Sequence, residues 1–167
     1  MLFNSLDFAI FLPIVFIIYW FIVNRNLKLQ NVLLVTASYV FYGWWDWRFL
    51  SLIVISTCVD FIIGLLLAKN YNENKRKLLL LTSIFVNIGL LGFFKYYNFF
   101  IESFSGAFSL LGGEINTNSL NIILPVGISF YTFQTLSYSI DVYKRKLEPT
   151  TDFFSFSAFV SFFPQLV

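Results

Sequence analysis

Five stretches of this chain are apolar over about the thickness of a bilayer, and short polar patches separate them. They run from Leu6 to Val23, Asn31 to Trp45, Phe49 to Ala68, Leu78 to Tyr97 and Ile122 to Tyr143, and another opens at Phe153 and reaches Val167. A helix of roughly 20 apolar residues crosses the hydrocarbon core, and only helices or closed barrels satisfy their backbone there. The pattern predicts an all-α, polytopic transmembrane helical bundle with about five complete spans and a truncated sixth, in one incomplete domain over residues 1–167. Composition agrees, because only 12% of the residues are charged, against about 25% in a soluble domain. Met1 to Asp7 lacks the basic n-region of a signal peptide, so the first stretch reads as a retained span.

Charge sets the expected orientation. Arg25 and Lys28 follow the first span, Lys69, Lys75, Arg76 and Lys77 the third, and Lys144, Arg145 and Lys146 the fifth. Nine of the eleven basic residues thus fall on one face. The positive-inside rule makes loops 24–30, 69–77 and 144–148 cytoplasmic and puts the N-terminus outside. Aromatics gather near span ends, as in Trp44-Trp45-Asp46-Trp47 and Tyr96-Tyr97-Asn98-Phe99-Phe100, where amphipathic rings favour the headgroup zone. Between Ile101 and Asn121, Gly112-Gly113 and Asn116 to Ser119 signal turns. An external connection with a short interfacial or re-entrant helix near Phe99 to Leu111 is expected.

Polar residues inside the apolar runs are the functional candidates. In the fifth span Gly127, Tyr131, Gln134, Tyr138 and Asp141 are spaced by four, three, four and three, so they share a helical face. Ser129, Thr132, Leu136, Ser139 and Tyr143 form the adjoining stripe. These faces suit either interhelical packing or the lining of a polar cavity. Pro125 and Gly127 predict a start or break of the helix just inside the outer boundary. Asp60, in the middle of the third span, needs a partner. The alternatives are Lys95, which can also snorkel to the headgroups, or water and hydroxyls. Asp141 lies beside Lys144 and Arg145, which predicts a surface ion pair. Pro13 predicts a kink, and Gly89 with Gly92 a close approach to a neighbouring helix.

Absences exclude several chemistries. The chain holds no histidine and one cysteine, Cys58, so it supplies neither an imidazole base nor a disulfide or Cys-based metal site. A net charge of +2, scattered among apolar runs, gives no nucleic-acid surface. No bound cofactor and no metal are expected.

Four motifs resemble the membrane-bound O-acyltransferase family. They are Ser38-Tyr-Val-Phe-Tyr-Gly-Trp-Trp45, Gly92-Phe-Phe-Lys-Tyr-Tyr-Asn-Phe99, Leu124-Pro-Val-Gly-Ile-Ser-Phe-Tyr-Thr-Phe-Gln134 with Tyr138-Ser-Ile-Asp-Val-Tyr143, and Phe163-Pro-Gln-Leu166. The resemblance covers the whole chain and points to the bacterial branch of alginate O-acetylation and D-alanyl transfer proteins. It implies a plasma-membrane enzyme that carries an acyl group from a cytoplasmic thioester such as acetyl-CoA, through a tunnel, toward a cell-surface polysaccharide. It also implies a catalytic histidine beyond Val167, further C-terminal helices and an extracytoplasmic acetyltransferase partner. On this reading the chain is an N-terminal fragment, inactive alone, in which Ser129, Tyr131, Thr132, Gln134 and Tyr138 line the route. A transporter or channel subunit and a non-catalytic membrane scaffold are the competing functions.

Overall fold

The computed structural model describes residues 5–44, 47–110 and 127–166. Among these residues no strand forms. The elements are α1 (Leu6–Ile17), which continues as a π-helical turn (Ile18–Ile22), α2 (Leu27–Gly43), α3 (Trp47–Lys69), α4 (Glu73–Leu110), α5 (Ile128–Tyr143), α6 (Phe153–Ser161) and α7 (Phe163–Leu166). Among the described residues, two helical segments are long and apolar enough to cross a membrane, Trp47–Lys69 and Glu73–Tyr97, with mean hydropathies of 2.5 and 1.9. Leu6–Ile22 is a shorter apolar helix.

Polar caps fix where the helices begin. The Asn26 side chain accepts from the Lys28 N–H at 3.0 Å and the Leu29 N–H at 3.4 Å, which starts α2 four residues ahead of the apolar run. Asn72 accepts from the Asn74 and Lys75 amides and starts α4 at Glu73, not Leu78. Asp152 does the same for α6 through Phe154 and Ser155. Each side chain satisfies amides that have no intrahelical acceptor in a first turn.

Where the chain was expected to leave the fourth span and form a separate interfacial helix, α4 instead runs on for 38 residues. At 1.5 Å per residue it is about 57 Å long, well beyond the roughly 30 Å hydrocarbon core. Residues 93–105 contain neither proline nor glycine, so nothing in the backbone stops the helix. The turn signals at 112–113 and 116–119, Trp45-Asp46 and the proline of the expected break, Pro125, lie outside the described residues. Gly127 takes a left-handed φ of 80° immediately before α5, a conformation that costs glycine little. The α1 helix passes through Pro13 unbroken.

The sixth apolar run is two helices meeting at Phe162. Pro164 has no N–H to give the Val160 carbonyl and its ring crowds that carbonyl, which favours a break here, and Phe162 leaves the helical region with a ψ of 105°. The corner is secured from α2, where the buried Ser38 Oγ accepts from the Phe163 N–H at 3.2 Å. The Phe163 ring then packs among Phe8, Phe11 and Phe41, at centroid distances of 6.4, 5.6 and 5.3 Å. Two motifs 125 residues apart, one around Ser38 and one at Phe163, are thus in direct contact.

Helix α3 is central and packs against α2, α4, α5 and α6. Its closest approach is at Gly64, where an added Cβ would stand 2.8 Å from Tyr138 Oη and 2.9 Å from Tyr138 Cε1. Tyr138 in turn stacks on Phe156 of α6 at 4.6 Å. The close approach expected at Gly89 and Gly92 is absent among the described residues, with nothing within 4 Å of either added Cβ. Both lie on α4, whose spanning window is 11% buried against 44% for α3, so α4 sits at the edge of the bundle.

Candidate functional site

Helix α5 presents two polar faces. Its inner face carries Thr132, Thr135 and Ser139, all fully buried against α3 and α4. There the Asp60 carboxylate of α3 accepts from three donors. Ser83 Oγ of α4 and Ser139 Oγ of α5, the latter at 2.9 Å, donate to Oδ1, and Asn87 Nδ2 of α4 donates to Oδ2 at 2.7 Å. Asn87 Nδ2 also donates to the Ser83 carbonyl at 3.0 Å, while its Oδ1 accepts from Ser56 at 2.7 Å and Thr135 at 3.2 Å. A buried polar group left unpaired in the apolar phase costs several kcal/mol. Here three helices share one saturated network, and its chemistry is that of a tie rather than a reactive centre.

The outer face of α5 borders a cleft of about 650 Å³ shared with α6, α7 and the α5–α6 connection. Phe130, Phe133 and Phe159 form apolar walls, while Gln134, Asp141 and Gln165 supply the polar points. Gln134 Nε2 donates to the Phe159 carbonyl at 2.8 Å. That carbonyl is accessible because the corner at Phe162 sends the Phe163 amide to Ser38 instead of back into α6. The amide is thereby oriented, and Gln134 Oε1 is shielded from solvent without a hydrogen-bond partner among the described residues. An oriented, unused acceptor beside a cleft is able to receive a donor from a ligand.

At the end of the bundle where α3 and α5 finish, Arg76 is buried at 3% exposure. Its Nη1 donates to the carbonyls of Leu67 and Asn70, and its Nη2 to those of Val142 and Tyr143, at 3.3 and 2.6 Å. The last carbonyls of a helix have no intrahelical donor and carry the negative end of its dipole, so one guanidinium closes two helices at once. Beside it α5 ends in a 6→1 and a 5→2 bond, from the Lys146 and Arg145 amides to the Asp141 and Val142 carbonyls. Arg145 holds the left-handed position of that motif, at φ 58°, where glycine is usual.

The residues proposed to line a route are divided by this geometry. Gln134 and Tyr138 border the cleft together with Asp141, whereas Ser129, Tyr131 and Thr132 are not among its lining residues. Thr132 and Tyr131 are buried, and Ser129 is half-buried. The ion pair expected of Asp141 does not form among the described residues, because Arg145 turns away and meets Glu73 at 3.2 Å. Lys95 lies over the Tyr96 ring at 5.6 Å, and Asp60 is held by hydroxyls and an amide instead. Sequence reasoning missed Ser56, Ser83, Asn87 and Thr135. Their signal was available, since Ser56 stands four before Asp60, Ser83 four before Asn87 and Thr135 four before Ser139 within apolar runs.

Comparison with characterised proteins is consistent along the whole chain. It is 39% identical over 171 aligned residues to a probable alginate O-acetylase AlgI of Pseudomonas syringae pv. tomato and 38% identical over 169 to that of Azotobacter vinelandii. It is 33% identical over 194 to a peptidoglycan O-acetyltransferase of Helicobacter pylori. All of this chain is covered in each case, but only 32%, 33% and 36% of those relatives, so the chain spans about a third of their length. No family model and no solved structure matches it. Identity sustained from end to end makes the whole chain similar to about a third of each of these O-acetyltransferases, which are of the membrane-bound O-acyltransferase type.

Proposed function

We propose that this chain forms one wall of the acyl route in a membrane O-acyltransferase that modifies a cell-surface or extracellular polysaccharide. The observation that carries the reading is identity of 33–39% over the full chain to alginate and peptidoglycan O-acetyltransferases. The acyl group is acetyl and its donor a cytoplasmic thioester of the acetyl-CoA kind, which leaves as the free thiol, while the acetyl group is passed on, with an extracytoplasmic acetyltransferase partner, to a hydroxyl that gives up its proton. Acyl transfer to a hydroxyl needs a base and a polar environment for the developing oxyanion. The chain has no histidine, so the base is assigned to C-terminal helices of a longer parent. Gln134, held by the Phe159 carbonyl, contributes an oriented amide to the wall of the route.

The topology proposed is a multi-pass protein of the bacterial inner membrane, with five spans and a sixth beginning at Phe153. Loops 24–30, 69–77 and 144–148 are cytoplasmic. Contact between the second and third of these loops through Arg76 and the Arg145–Glu73 pair supports their lying at one end of the bundle. Replacing Lys146 with cysteine in a Cys58→Ser background tests this, since an impermeant thiol reagent should label position 146 only in inside-out vesicles. Labelling in intact spheroplasts would reverse the orientation.

The catalytic reading is tested by Gln134→Leu in the full-length parent. Acetylation of the extracellular polymer should fall about tenfold, the scale of one lost hydrogen bond to a reacting group, with the protein level unchanged. Normal acetylation at normal protein level would remove Gln134 from the route. A reading frame that continues past codon 167 into further apolar spans and an intramembrane histidine supports the enzyme. A stop codon there would favour a scaffold.

A further inference from the structure

We propose that the groove between α1, α2 and the α6–α7 corner holds one acyl chain of an anionic phospholipid, whose phosphate meets Arg25 and Lys28. The groove has a volume of about 280 Å³, and its walls include Leu12, Phe16 and Trp20 on the α1 side, Leu34 on α2, and Phe162 and Pro164 at the corner. No charged side chain lines it. Phe16 and Trp20 are more than half exposed, with their rings 6.3 Å apart. Trp20 belongs to the π-helical turn Ile18–Ile22, a widened geometry that is rare and concentrates at functional sites.

The basic pair stands where a headgroup would. Lys28 lies in the first turn of α2, and Leu34 is six residues further along, about 9 Å deeper at helical rise. Along α1 the groove extends from Leu12 to Trp20, about 12 Å, and Arg25 follows in the turn after Val23. An apolar slot walled by α1 and α2, whose connecting turn and first helical turn bear two exposed cations, is complementary to an acyl chain with a phosphate at its end. Arg25 and Lys28 are exposed, and neither takes part in the ion pair between Arg145 and Glu73. From residue 8 to residue 45 the sequence contains no aspartate or glutamate, so the two helices that wall the groove carry no counter-charge over that stretch. At the other basic site, by contrast, Arg76 is consumed by helix carbonyls and Arg145 by Glu73.

Two cations near a membrane surface favour an anionic headgroup roughly 30-fold, equivalent to about 2 kcal/mol. The probes are phosphatidylglycerol and phosphatidylcholine of identical acyl chains, offered in competition to the full 167-residue chain in detergent. Native mass spectrometry should show one retained phosphatidylglycerol per chain, and Arg25→Gln with Lys28→Gln should abolish the preference. In a variant with Trp44, Trp45 and Trp47 all changed to Phe, Trp20 fluorescence reports on the groove. Dibrominated phosphatidylglycerol should quench it at a lower mole fraction than dibrominated phosphatidylcholine. Leu34→Phe, which fills the slot, should weaken quenching by both lipids. Equal retention of the two lipids, or a preference that survives the double Gln substitution, overturns the proposal. Quenching unaffected by Leu34→Phe overturns the acyl-chain placement.

Discussion

Loss of Asn87 should destabilise the bundle through one bond above all, and a double-mutant cycle with Asp60 measures it. Asn87→Leu removes the 2.7 Å bond to Asp60 Oδ2 and leaves the carboxylate with Ser83 and Ser139. Ser56 and Thr135 lose an acceptor, but Thr135 keeps the Thr132 carbonyl at 3.1 Å, and a helical serine can turn to the carbonyl four residues back. The cost is therefore dominated by the bond to Asp60, about 1–3 kcal/mol for a buried polar group left short of a partner. Neutral hydrogen bonds between membrane helices average only about 0.6 kcal/mol, and full burial of Asp60 is the reason to expect the larger figure. Asp60→Leu alone should cost about 1 kcal/mol, because the freed hydroxyls rebond to their own helices and Asn87 retains the Ser83 carbonyl. The double variant leaves neither partner stranded and should resemble Asp60→Leu alone, giving a coupling near 2 kcal/mol. Reversible unfolding in mixed micelles reads all four proteins. Additivity within about 0.5 kcal/mol would refute the network as drawn.

Other perturbations probe the remaining ties. Arg76→Leu should destabilise by about 3 kcal/mol, since four terminal carbonyls of α3 and α5 lose charged donors. Arg76→Lys should recover less than half, because an ammonium cannot span both helix ends as a planar fork does; hydrogen exchange at Asn70 and Lys144 is the readout. Gly64→Ala should cost about 1–3 kcal/mol by overpacking against Tyr138. Tyr138→Phe in the same chain should recover part of it in thermal melts, as it removes the 2.8 Å contact with Oη. Glu73→Gln should change stability by less than about 0.5 kcal/mol, since both partners of its ion pair are more than 60% exposed, at 62% and 69%; a larger loss that salt does not screen would contradict that.

The apolar bodies of the helices were legible in the sequence, but the capping side chains of Asn26 and Asn72 start α2 and α4 four and five residues ahead of the apolar runs, whereas α6, capped by Asp152, begins where its run does. Helix ends were not legible where nothing marked them, so α4 ran through the expected connection after Tyr97. That Asp60 needed partners followed from one carboxylate in an apolar run. Which partners it found depended on the register of α3, α4 and α5, a tertiary quantity that spacing within a single helix does not contain. Glycine illustrates the same limit. Gly64, Gly89 and Gly92 all sit in apolar helices, yet only the first faces a large ring. Arg76 lay in a basic patch and looked like a surface charge, and it is buried because α3 and α5 both end beside it.

The two faces of α5 explain why motifs so distant in sequence belong together. The inner face is fixed by Asp60 and Asn87, which hold its rotation relative to α3 and α4. That rotation aims Gln134 at α6, where its partner is a carbonyl that a regular helix would have occupied. Pro164 favours the corner, Ser38 takes the Phe163 amide, and the Phe159 carbonyl is left for Gln134. The motif at Ser38, the motif at Phe163 and the motif ending at Gln134 thus meet at one corner through two separate hydrogen bonds, to the Phe163 amide and the Phe159 carbonyl. A substitution at Ser38, remote from the cleft in sequence, would leave the Phe163 amide without its acceptor and loosen the corner that presents the Phe159 carbonyl to Gln134. The orientation of Gln134 is therefore a property of the corner as much as of its own helix.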